Sequence, residues 1–128
     1  MKINIKATGI ELTQAISNYA YKKISSIEKY LDKKSSPDLV AQVEVGRSTR
    51  HHKAGNIFRA EVHITGAGLD LYAVSAMEDL YAAIDVVKDE IVHNAVQLKG
   101  RRQTLTRKGA EMMKNIMKGI INSFKRKL

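Results

Sequence analysis

The sequence predicts an α+β fold, a two-layer sandwich, and three observations predict it. Four short segments alternate apolar and polar residues with period two, as half-buried strands do. Two longer segments repeat apolar residues every three or four positions, as amphipathic helices do. The order is β-α-β-β-β-α. One-sided alternation leaves one face of a four-stranded sheet solvated, so both helices are expected on the other face.

The first strand is expected around Ile3, Ile5 and Ala7, with Lys2, Asn4 and Lys6 on its outer side. A helix is expected from about Thr13 to Lys33, with Thr13 as N-cap. Its apolar stripe is Leu12, Ile16, Tyr19, Ala20, Ile24, Ile27 and Leu31. Ser35-Ser36-Pro37-Asp38 breaks it, and Pro37 is the only proline. Strand two alternates Leu39, Ala41, Val43 and Val45 with Val40, Gln42 and Glu44. Strand three alternates likewise, with Phe58, Ala60, Val62 and Ile64 on one side. Between them lies a basic loop, Gly46 to Gly55, reading GRSTRHHKAG. Gly66-Ala67-Gly68 suits a tight turn into strand four, with Leu69, Leu71 and Ala73.

Ser75-Ala76-Met77-Glu78 has capping-box spacing, and a second helix is expected from there to about Leu98. Its stripe is Leu80, Ile84, Val87, Ile91, Ala95 and Leu98, and Gly100 is expected to end it. The predicted core includes Ile5, Ile16, Ile24, Val43, Val62, Leu71, Ile84 and Ile91. Residues 100–109, GRRQTLTRKG, read as a basic linker. Residues 110–128 read as a basic amphipathic helix with Met112, Met113, Ile116, Met117, Ile120, Ile121 and Phe124 on one face. The expected organisation is thus an α+β domain over 1–99, a linker and a tail helix.

Charge follows the same division. Met1 to Leu98 carry 12 Lys/Arg and 12 Asp/Glu, whereas Lys99 to Leu128 carry ten Lys/Arg and one acid, Glu111. The whole net charge of +9 therefore lies in the last 30 residues. A neutral body with a cationic tail fits a polyanionic partner, with nucleic acid preferred over an anionic membrane. The bland alternative is a solubilising end. The chain has no cysteine, which excludes disulfides, thiolate metal sites and cysteine nucleophiles. Met1-Lys2 is followed by Ile3-Asn4-Ile5-Lys6 rather than an apolar run, and no stretch is long and apolar enough to span a bilayer. A soluble, cytoplasmic protein is expected.

Glu78-Asp79-Leu80-Tyr81-Ala82-Ala83-Ile84-Asp85, followed by Val86-Val87-Lys88-Asp89-Glu90, resembles the second-helix signature of the ribosome hibernation-promoting factors. These are also called ribosome-associated translation inhibitors or sigma-54 modulation proteins. Gly9 to Ile16 (GIELTQAI) resembles the family's entry to helix one, and Ile27 to Leu31 (IEKYL) its exit. His51 to Val62 (HHKAGNIFRAEV) resembles a hairpin of one branch. The likeness spans roughly residues 1 to 99.

The resemblance implies a fold of the same β-α-β-β-β-α order. It implies binding to the small ribosomal subunit, between head and body, across the mRNA path and the tRNA sites. It implies inhibition of translation under stress, with no enzymatic turnover, no cofactor and no small-molecule substrate. Long members carry a second, dimerising domain, for which this length leaves no room, so a monomer is expected off the ribosome. Candidate rRNA-binding residues are Lys22, Lys23 and Lys29 on helix one. The basic loop adds Arg50, His51 and Lys53, and helix two adds Lys88, His93 and Lys99. Arg101, Arg102, Arg107 and Lys108 extend the set into the tail. Where the family usually has basic residues down helix two, this chain has Glu90, His93 and Gln97. Relocation of that charge into the tail is the expectation.

Other candidate chemistry has a plainer reading. His51-His52 lacks spaced carboxylates or thiolates and makes a poor metal site. Asp85 and Asp89, four apart, read as a solvated acidic face, for no nucleophile or base accompanies them. His63 is expected on the exposed sheet face. Tyr81 is read as a core ring packed on the sheet, with base stacking as its alternative. The tail's Met/Ile face has three open readings: a protein surface, a membrane, or the domain itself. Two alternatives stand beside ribosome hibernation. One is a general RNA-binding module. The other, less favoured, is a peripheral membrane protein anchored by the tail helix.

Overall fold

The computed structural model describes the backbone of residues 1–34, 36–48 and 57–127, and leaves the side chains of 102–107 and 119–127 outside that description. The six main elements come in the expected order: β1 (Lys2–Thr8), α1 (Gln14–Ser25), β2 (Val40–Ser48), β3 (Ile57–Gly66), β4 (Leu69–Met77) and α2 (Leu80–Lys127). Two units make up the chain, Met1–Ala95 and Val96–Leu128.

The first unit is the sandwich. Its strands lie in the order β1-β2-β3-β4. β1 runs parallel to β2, and the other two pairings are antiparallel. The register places Ile5, Val43, Val62 and Ala73 in one row and Ile3, Ala41, Ile64 and Leu71 in another. These rows form the inner face, because Ala41, Val43, Val62, Ile64, Leu71 and Ala73 are all buried. Ala20 and Ile24 of α1 cover that face together with Leu80, Ala83, Ile84, Val87 and Ile91 of α2. No buried residue of the described set is polar. Ile5 and Ile16, expected in the core, are only half-buried. Ile5 lies on edge strand β1 and Ile16 in the first turn of α1, where fewer neighbours surround them. Leu12 is 37% exposed and lies outside α1, so it is not part of the stripe.

The opposite sheet face is solvated and charge-balanced. Arg59 pairs with Glu61 at 2.6 Å and Thr8 donates to Glu44 at 3.0 Å. His63 lies on this face as expected, 2.6 Å from Asp70. The β3–β4 turn is Ala67-Gly68, with φ of 49° and 79°. Two successive positive φ values match the twist of the flanking strands. Gly66 precedes them with φ of 122°, and a Cβ there would collide with the Asp38 carbonyl oxygen.

Three boundaries differ from expectation. The first helix ends at Ser25 and tightens into a 3₁₀ segment, Ser26–Tyr30, rather than running to Lys33. The Ser25 and Ser26 hydroxyls donate to the carbonyls of Lys22 and Lys23 at 3.1 and 2.6 Å, a competing pattern that disfavours continued α-helix. Thr13 caps the other end as expected, accepting from the Ile16 N–H at 3.2 Å.

The second difference is at Ser75. β4 continues to Met77, so Ser75 is a strand residue and the capping box does not form. Asp79 caps α2 instead, its carboxylate accepting from the Tyr81 N–H at 3.3 Å. Ser75 donates to the Ala83 carbonyl at 2.6 Å, pinning the end of the strand to the helix.

The third is at Gly100. α2 runs without a break from Leu80 to Lys127, so residues 100–109 are helical and Gly100 does not end the helix. Gly100 is not among the glycines with positive φ, and therefore does not form the left-handed cap that ends a helix. The only proline, Pro37, lies far upstream. An interior glycine only weakens a helix, by about 1 kcal/mol.

Candidate nucleic-acid interface

In the first unit the candidate residues come from α1, the 3₁₀ segment and the outer side of α2. Lys22 and Lys29 are exposed, and neither forms an ion pair among the described residues. Lys23 behaves differently. Its ammonium lies 3.4 Å from the Asp85 carboxylate and 5.5 Å from the centre of the Tyr19 ring. Tyr19 donates its hydroxyl to the same carboxylate at 2.6 Å. That hydrogen bond, then burial and the negative charges of Asp85 and Asp79, push the Tyr19 phenol up to about 12. Tyr81 meets Tyr19 edge-on, with ring centres 4.8 Å apart.

This Tyr19–Asp85–Lys23 group corrects two expectations. Asp85 is not simply part of a solvated acidic face with Asp89, because it ties α2 to α1. Tyr81 is 37% exposed and packs on another ring, rather than lying in the core. The sequence gives little sign of the group, since Tyr19 and Asp85 are 66 residues apart. Only the position of Tyr19 at the edge of the α1 stripe hints at it.

Along α2, Lys88 is mostly covered and lies 3.5 Å from Asp89, so its charge is partly engaged. His93 is exposed, as are Glu90 and Gln97. The outer side of this stretch therefore carries little positive charge. In the second unit, Lys99, Arg101 and Lys108 are exposed. Arg102 and Arg107 belong to the same helix, but their side chains are not described. Arg50, His51 and Lys53 lie outside the described residues, as does the His51-His52 pair. Among the described residues, no cluster of three or more His, Asp or Glu side chains is arranged to hold a metal ion.

The sandwich has known counterparts. It superposes on the Protein Y N-terminal domain of Thermus thermophilus with a TM-score of 0.63 and 28% identity, over 77% of this chain and 99% of that one. A ribosomal subunit interface protein from Coxiella burnetii shares the fold, with a TM-score of 0.61 and 12% identity over 78% of this chain and 99% of that one. The chain belongs to the sigma 54 modulation protein / S30EA ribosomal protein family, whose sequence profile matches residues 3–103. Among curated relatives, the ribosome hibernation promoting factor of Azotobacter vinelandii is 28% identical over 102 residues, which are 80% of this chain and 86% of that protein. That of Escherichia coli K12 is 26% identical over 101 residues, 79% of this chain and 96% of that protein.

Proposed function

We propose that this chain is a ribosome hibernation factor. It binds the small ribosomal subunit in the decoding cleft and inhibits translation under stress by occupying the mRNA path and tRNA sites. The observation that carries this reading is the likeness over nearly the full length of relatives named ribosome hibernation promoting factors. The factor acts in the cytoplasm, as a monomer off the ribosome, and works by occupancy without chemical turnover.

Recognition of structured RNA rests on phosphate contacts and shape rather than on base sequence. Of the three helix-one candidates, Lys22 and Lys29 are exposed and outside any ion pair among the described residues, and Lys23 contributes less because Asp85 holds it. Lys88 and His93 stand on the same helix as Glu90, which reduces their field. The basic run Lys99, Arg101, Arg102, Arg107 and Lys108 then supplies the charge that the outer side of helix two lacks. Arg50, His51 and Lys53 of the basic loop complete the proposed contact set.

The test is direct. Purified protein should co-sediment with small subunits and inhibit translation in a reconstituted system at stoichiometric concentration. Normal translation at saturating protein would remove the proposal. Equal affinity for small subunits and for unrelated structured RNA of similar length would favour a general RNA-binding module, a reading the tail charge alone would support.

A further inference from the structure

We propose that the last part of α2 binds a second partner, the surface of an anionic lipid bilayer, lying in its headgroup region. Met112, Met113, Ile116 and Met117 are 65%, 61%, 54% and 54% exposed. The helical backbone continues to Lys127, and Ile120, Ile121 and Phe124 extend the same pattern in the sequence. At about 100° per residue these seven positions fall within about half the helix circumference. The other half holds Lys114, Lys118, Lys125 and Arg126, with Glu111 as the only acid; Lys127, at the end of the helix, falls within the apolar half.

Three arguments select the occupant. RNA phosphates would engage the lysine half and leave the Met/Ile half in water, so they do not account for the apolar face. A second copy of the chain would bring two segments of charge +9 together, and like charge opposes that pairing. An anionic bilayer offers both an apolar layer and a negative surface, which match the two halves at once. No helix of the described residues is long and apolar enough to cross a membrane, so the segment lies in the plane of the interface. The preceding basic run differs in kind. Between Lys99 and Lys108 it has five cations and only one large apolar residue, Leu105. Phosphate binding and lipid binding are therefore carried by successive stretches of one helix.

Vesicle flotation of the full chain tests this. The protein should float with phosphatidylcholine–phosphatidylglycerol vesicles and stay at the bottom with phosphatidylcholine vesicles. The triple substitution Met113→Gln, Ile116→Gln, Met117→Gln keeps every charge and a good helix former at each site. It should lower partitioning at least about tenfold, because the apolar area available for burial shrinks, and should leave small-subunit sedimentation unchanged. The chain has no tryptophan, so Met112→Trp adds a single reporter whose emission should shift to the blue on anionic vesicles. Absence of flotation would overturn the proposal. So would flotation unaffected by the glutamines, which would leave charge as the sole cause. Loss of small-subunit binding in the triple variant would also overturn it, by assigning the apolar face to the ribosome.

Discussion

The two stretches of α2 have similar amphipathic patterns and opposite fates. Between Leu80 and Ala95 the stripe Leu80, Ile84, Val87, Ile91 and Ala95 is buried. Between Met112 and Met117 the apolar residues are more than half exposed. Period alone says that a helix has an apolar face; it does not say what covers it. The charges beside each face are more informative. The buried stripe belongs to a unit whose acids and bases cancel, whereas the exposed one sits in a segment of ten cations and one acid. A neutral body can satisfy its own charges, whereas a segment of that charge is the part of the chain suited to an anionic partner.

Removing the charged stretch is the strongest way to break the comparison. Deletion of residues 99–128 should leave the sandwich folded, because it removes all of the net charge but none of the buried core residues of the sandwich. Affinity for small subunits should fall by at least about a hundredfold at low salt if the stretch engages several phosphates. The slope of log affinity against log salt should flatten by roughly 0.7 to 0.9 for each phosphate that the shortened chain no longer neutralises. An unchanged slope would mean that the cations do not touch RNA.

The next test sets one stripe against the other. Ile91→Ala opens a cavity in the core and should cost about 2–5 kcal/mol in denaturant unfolding. Ile116→Ala, at an exposed site, should change stability by less than about 0.5 kcal/mol. Equal costs would mean that the apolar residues around Ile116 are covered in solution by something folding with the chain.

How much of this was legible follows from the range of each interaction. Strands and helix stripes were readable because period reports burial locally: Val43, Val62 and Ile84 lie where alternation and three-four spacing put them. Gly100 misled because glycine ends a helix only when the chain turns left-handed there, and local composition does not decide that. Ser75 misled because capping-box spacing and strand alternation overlap in Ser75-Ala76-Met77-Glu78, and pairing with β3 as far as Met77 prevailed. The Tyr19–Asp85–Lys23 group depends on how two helices pack, which no short window contains. The candidate cations were legible as residue types. Which of them are free was not, because an ion pair such as Lys23–Asp85 is a tertiary fact.

That distinction predicts unequal effects among lysines close together in the chain. Lys22→Glu or Lys29→Glu should weaken small-subunit binding about tenfold each without loss of stability, since attraction to a phosphate is replaced by repulsion. Lys23→Gln should do less to binding, no more than about twofold, because its charge is already shared with Asp85. Comparing Lys22→Gln with Lys23→Gln removes the repulsion and isolates the pairing. If Lys23→Gln has the larger effect on affinity, the carboxylate does not restrain it on the ribosome.

The last expected effect lies at the joint between α1 and α2 and is read in stability rather than in affinity. Tyr19→Phe removes the hydroxyl that donates to Asp85 and should cost about 1 kcal/mol of stability near neutral pH. Its pH dependence has a definite sign. The phenol is raised from 10.0 to about 12 in the folded protein, so the folded state favours the protonated form. That contribution is fully present below pH 10, declines as pH rises through the interval, and is gone above about 12. Wild-type protein should therefore lose stability between these limits faster than Tyr19→Phe, on top of the ionisation of other groups common to both. Ultraviolet titration should count one tyrosine fewer in the high-pH phase of the variant. Parallel stability profiles for the two proteins would mean that the hydroxyl does not hold its bond to Asp85 in solution, and the joint would then rest on the Lys23 ion pair and the Tyr19–Tyr81 ring contact alone.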